Sequence, residues 1–141
     1  MNDTTKESFT DWEHKTAKAN HYFDQESFEH AKKSYIGAKN LALRLFENSD
    51  QPERAVAALV VSYHNLSNLY QQLNQPKRAY SELDEVDAYL ANCLKSGLSS
   101  VDVKIAVRHG IDRTRAELFS FIKKNKITSA VDNVFDRAKF N

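Results

Sequence analysis

Residues 28–46 read FEHAKKSYIGAKNLALRLF. Within this stretch Phe28, Ala31, Tyr35, Ala38, Ala42 and Leu45 recur at alternating spacings of three and four, the period that lines one face of an α-helix. Ile36, Leu43 and Phe46 form a second apolar row beside the first, so this helix should touch neighbours on two sides. A two-stranded coiled coil would need only the narrow seam. The pattern recurs downstream in Val56, Leu59, Tyr63, Leu66, Tyr70 and Leu73, widened by Val60 and Leu69. It recurs again in Ala79, Leu83, Val86, Leu90 and Cys93, widened by Tyr80 and Leu94.

Local chemistry marks the helix ends. Thr10 with Glu13 has the spacing of a capping box, and Asp50 with Glu53 repeats it. Asn74 can cap the fourth helix, while Pro52 and Pro76 suit the first turn, where a missing N–H costs nothing. A fifth helix is predicted from Ser99 or Ser100 through Ile105, Ile111, Leu118 and Ile122 to about Asn125. A sixth, over residues 128–139, would bury Val131, Val134 and Phe135. The expectation is a single all-α domain over residues 1–141, three antiparallel hairpins built from about six helices, with residues 1–8 as a flexible tail.

The 141 residues contain 3 Gly and 2 Pro, where average usage would give roughly 10 and 7. Hairpin-rich β folds need glycine at positive φ in their turns, and phosphate-cradling loops need several together, so both are excluded. Gly97 follows the fourth helix as a stop should. Gly37 and Gly110 fall inside helices, where close backbone packing is the expected reason.

Twenty basic and 19 acidic side chains give a net charge of +1, which offers no bulk attraction to nucleic acid or an anionic membrane. Lys123, Lys124 and Lys126 concentrate positive charge near one helix end, where the dipole favours it. No recognition-helix or single-strand motif accompanies them, so nucleic acid is not an expected partner. The longest apolar run, residues 55–61, is too short to span a bilayer. With one cysteine, Cys93, in an apolar row, and no secretory signal, a reducing, cytoplasmic setting is expected.

Helix pairs also repeat at 48 residues: Tyr22 maps to Tyr70, Ala31 to Ala79, and Tyr35, Ala38, Ala42 and Leu45 to Leu83, Val86, Leu90 and Cys93. Neither pair can bury both apolar rows alone, which favours stacking. Ala19, Tyr22, Phe28, Ala31, Tyr35 and Ala38, then Tyr63, Leu66, Ser67, Tyr70 and Ala79, resemble the tetratricopeptide (TPR) repeat, most clearly over residues 10–95. The resemblance implies a right-handed stack whose first, third and fifth helices line a concave, peptide-binding surface. Pro76, Leu83, a third pair with Arg113 in an aromatic place, and the long helices depart from the family pattern.

The same resemblance picks out Asn20, Asn65, Lys104 and Arg108, which look like the asparagines and Lys-x-x-x-Arg pair with which some TPR domains grip a peptide carboxylate. A further lysine of that pattern falls at Thr16. Amides and cations across one groove could hold an acidic C-terminus by charge-assisted hydrogen bonds. His64 and Asn68 lie on the same inner helix and join the candidate groove. Two other readings stand beside this adaptor or chaperone-like one. His14, His21, His30, His64 and His109, with Glu26 four residues before His30, allow a helical-bundle metal protein or enzyme, although the chain lacks the Glu-x-x-His that such carboxylate sites use. The widened stripes allow a self-associating protein such as a homodimer. No Ser/His/Asp or Cys/His set can be assembled by spacing, so neither catalysis nor a cofactor is expected.

Overall fold

A computed structural model describes residues 8–97, residues 99–127 and Arg137. These residues form five helices and no strand: α1 (Phe9–Asp24), α2 (Phe28–Asn48), α3 (Pro52–Gln72), α4 (Pro76–Lys95) and α5 (Val101–Asn125). The proposed sixth helix, apart from Arg137, lies outside the described residues. Each helix packs on the next, and α3 also packs on α1 and α5. Residues 1–7 lie outside the description, and Ser8 is the N-cap of α1 rather than part of a tail.

The helix starts differ from the sequence expectation at three places. Ser8 and Asp11, not Thr10 and Glu13, form the capping box of α1: Ser8 Oγ accepts from the Asp11 N–H at 3.2 Å, and Asp11 Oδ2 accepts from the Ser8 N–H at 3.1 Å. The earlier start lets Phe9 bury in the core beneath the Arg54 guanidinium. At α3 the prolines decide. Pro52 opens the helix, so Gln51 rather than Asp50 is the N-cap, without a side-chain hydrogen bond. Gln75 before Pro76 adopts nearly the same backbone (φ −120°, ψ 72°, against −116° and 74°), so the twice-used phrase Gln-Pro-x-Arg encodes one helix start twice. Asn74 is therefore not a cap. Ser100 caps α5, accepting from the Val103 N–H.

A chain with so few glycines still has to turn. It does so with Glu26, Asn74 and Lys126, whose φ values of 60°, 57° and 56° fall in the left-handed region. In each turn the next residue donates its N–H back to a carbonyl five residues earlier: Ser27 to Tyr22, Gln75 to Tyr70 and Ile127 to Ile122. Glu26 and Asn74 are 48 residues apart, so the sequence period is also a period of backbone geometry.

Gly110 meets its expectation and Gly37 does not. A Cβ on Gly110 would lie 2.6 Å from Val56 Cγ1 and 3.0 Å from Leu90 Cδ1, so the absent side chain lets α5 approach α3 and α4. A Cβ on Gly37 would meet nothing within 4 Å. Gly37→Ala should therefore stabilise the fold by about 0.5 to 1 kcal/mol through helix propensity. Gly110→Ala should destabilise it by about 1 kcal/mol through overpacking. Urea titration of the two variants checks both signs.

The core forms two apolar layers. One holds Leu41, Leu45, Val56, Leu59, Val60, Val86, Leu90, Val107 and Ile111; the other holds Tyr35, Leu66, Leu69, Leu83, Leu118, Phe121 and Ile122. Polar pairs also join the helices. Trp12 Nε1 donates to Ser62 Oγ at 2.7 Å, His64 Nε2 and Thr114 Oγ1 are hydrogen bonded at 3.3 Å, and Arg115 Nε donates to Asp87 Oδ1 at 2.9 Å. Ser62, Thr114 and Asp87 are all buried. Lys39 adds a half-buried tie, its Nζ 3.0 Å from Glu82 and 4.8 Å above the Tyr63 ring.

Candidate functional site

His64, Asn68 and Gln71 stand at i, i+4 and i+7 on α3 and share one face of that helix. Across from them α5 presents Glu117, Ser120 and Lys124. The space between is a groove of about 270 Å³, with Ser67, Leu83 and Phe121 completing its lining. Burial, and after it the positive charge of Arg113, lowers the His64 imidazole from its ordinary 6.5 to about 4. The groove therefore offers a neutral ring, two side-chain amides, two serine hydroxyls and one charge of each sign. That set can pair with the backbone and polar side chains of an extended segment.

The other predicted residues lie elsewhere. Asn20 is on the surface of α1, where its Oδ1 accepts from the Tyr35 hydroxyl of α2. Asn65 is half-exposed on α3 but outside the groove lining. Lys104 and Arg108 occupy the first two turns of α5, near the end where His109 Nδ1 meets Glu53 at 2.8 Å. Helical rise puts Arg108 about 18 Å before Ser120 along α5. The structure thus joins His64 and Asn68 and leaves Asn20, Asn65, Lys104 and Arg108 outside that groove. Gln71 and its spacing from His64 were visible in the sequence. Glu117, Ser120 and Lys124 needed the register of α5 against α3, which the sequence does not state.

The histidines are dispersed. Glu26 sits in the turn before α2 rather than on one helix with His30, and His30 stacks on Tyr22. Among the described residues no three His, Cys, Asp or Glu side chains gather as a metal site would require. Cys93 is half-buried, and burial pushes its thiol up, away from the thiolate that a nucleophile needs. No helix among the described residues is long and apolar enough to cross a membrane.

A second polar site was not foreseen. Asp87, with no exposed surface, receives Arg115 Nε at 2.9 Å and Arg137 Nε at 2.7 Å, and Arg137 Nη2 also donates to Asp84. Burial works against the charge on Arg137, but hydrogen bonds and charges of Asp84 and Asp87 outweigh it and raise the guanidinium pKa. The signal was an acid at position 87, on the same face as Leu83 and Leu90. A hollow of about 500 Å³ also lies between the start of α1 and the end of α2, bordered by Ser8, Arg44, Asn48 and Arg54.

The family described as "Protein of unknown function (DUF2753)" matches residues 10–139. The chain belongs to this family. No curated protein and no solved structure matches it. In this DUF2753 protein the groove and the Asp87 cluster both fall inside the matched span.

Proposed function

We propose that this DUF2753 protein is a non-catalytic, TPR-like binding module that holds an extended segment of a partner protein, as an adaptor or chaperone-like protein of the cytoplasm does. The reading takes α1 to α4 as two hairpins of a right-handed stack, α5 as the first helix of a third, and the chain beyond it as the sixth. The packing of α3 on both α1 and α5 and the 48-residue recurrence of the Glu26 and Asn74 turns support it. The observation that carries the function is the polar groove between α3 and α5, where His64 and Asn68 face Ser120 and Lys124. A partner ending in an acidic residue and a free carboxylate would meet Lys124 here, not Lys104 and Arg108.

Ser120 is exposed, so Ser120→Trp should fill the groove and leave the fold intact. In a pull-down from the native cytoplasm with mass-spectrometric identification, a partner retained by the wild type should be lost with Ser120→Trp and kept with Arg108→Ala. Equal recovery by all three proteins would rule out the groove.

A second reading, self-association, is favoured by Val101 and Ile105, exposed at the start of α5 beside Pro52. Sedimentation should then show a concentration-dependent dimer that Ile105→Glu abolishes.

A further inference from the structure

The Asp84 and Asp87 carboxylates lie one turn apart on α4 and face an arginine from well beyond α5. Arg115 alone could answer only one of them. Without Arg137, the fully buried Asp87 keeps, among the described residues, one cation, and Asp84 keeps the long, 3.5 Å hydrogen bond from the Tyr80 hydroxyl. The remaining charge and acceptors fit a guanidinium specifically. Arg137 uses Nε toward Asp87 and Nη2 toward Asp84, donors on two sides of a planar fork that a lysine ammonium cannot reproduce. This is more than an acidic patch, because it is seen with a cationic side chain seated across both carboxylates and four-fifths buried there.

We infer that Asp84 and Asp87, aligned by Tyr80 and Arg115, form a binding site for an arginine side chain, filled by this chain's own Arg137. Arg137 is covalently tethered to the body that carries the site, so its effective concentration is high. An arginine on a partner protein enters only by displacing it. Arg137 is in that sense a built-in competitor.

Chemical rescue tests this. Arg137→Ala should melt roughly 10 °C below the wild type, as loss of a largely buried ion pair does. Millimolar methylguanidinium chloride should restore a good part of that loss, and methylammonium chloride at the same concentration should not. The tripeptide acetyl-Gly-Arg-Gly-amide should act like methylguanidinium. Neither additive should raise the melting temperature of the wild type, whose site is occupied, or of an Arg137→Ala, Asp84→Asn double variant. If Arg137→Ala does not fold, Arg137→Lys takes its place, since it retains a cation while losing the fork. Absence of rescue, or equal shifts from methylguanidinium and methylammonium, would overturn the inference.

Discussion

Replacing Asp87 by alanine is expected to destabilise the protein by about 3 kcal/mol, as removal of one partner from a buried ion pair does. Asp87 has no exposed surface and accepts from both Arg115 and Arg137. Removing it leaves two cations in a poorly hydrated place, and Arg115, only 15% exposed, then has no carboxylate among the described residues. The estimate sits at the lower end of the range for broken buried pairs because Arg137 keeps Asp84. Asp87→Asn, of the same size, should lose less. Converting the cluster to apolar residues, with Asp87→Leu, Arg115→Met and Arg137→Met together, should recover much of the stability, since the fully buried carboxylate goes together with both of its cations and the Asp84 left behind is one-third exposed. Urea denaturation of the three variants decides the matter. A loss below about 1 kcal/mol for Asp87→Ala would mean that the carboxylate contributes no more than an ordinary hydrogen bond.

Acid is the second lever. His64 titrates near its ordinary 6.5 when the chain is unfolded and near 4 when folded, because burial disfavours the imidazolium. Between those values the unfolded chain binds the extra proton, so stability rises with pH. His64 thus contributes its full share above about pH 6.5 and loses it as the pH falls toward 4. The total is about 2 kcal/mol after allowance for partial solvent screening. His64→Gln can still bond to Thr114 without titrating, so its stability should fall less steeply between these pH values. Parallel urea titrations at several pH values would show it. Identical slopes for the two proteins would place the His64 imidazole in water rather than against Thr114.

Apolar rows were the most legible part of the fold. Nearly every residue that the 3-4 spacing put on the inner faces of α2, α3 and α4 is buried, because a helix long enough to show its period must bury that face. Helix starts were less legible. Thr10–Glu13 and Asp50–Glu53 fit the capping pattern as well as Ser8–Asp11 does, and only the burial of Phe9 and the placement of Pro52 decide among them. The turn residues carried little sequence signal, because glycine is the usual sign of a left-handed conformation and Glu26, Asn74 and Lys126 hold it without glycine. The groove was half legible. One helix face can be read from spacing alone, but a site shared by two helices depends on how far one is shifted along the other. That shift is set by contacts such as Val56 and Val60 against Gly110.

The buried polar pairs that tie the helices together also act as an index mark. Apolar side chains are interchangeable enough that a helix slid by one turn could still cover a greasy neighbour, and repeated sequences invite that error. Ser62, Thr114 and Asp87 do not allow it. A one-turn slip would push each into hydrocarbon and strand Trp12 Nε1, His64 and Arg115 without partners, at a penalty of several kcal/mol. Each slipped alignment of the helices is thereby disfavoured relative to the one these three hydrogen bonds hold.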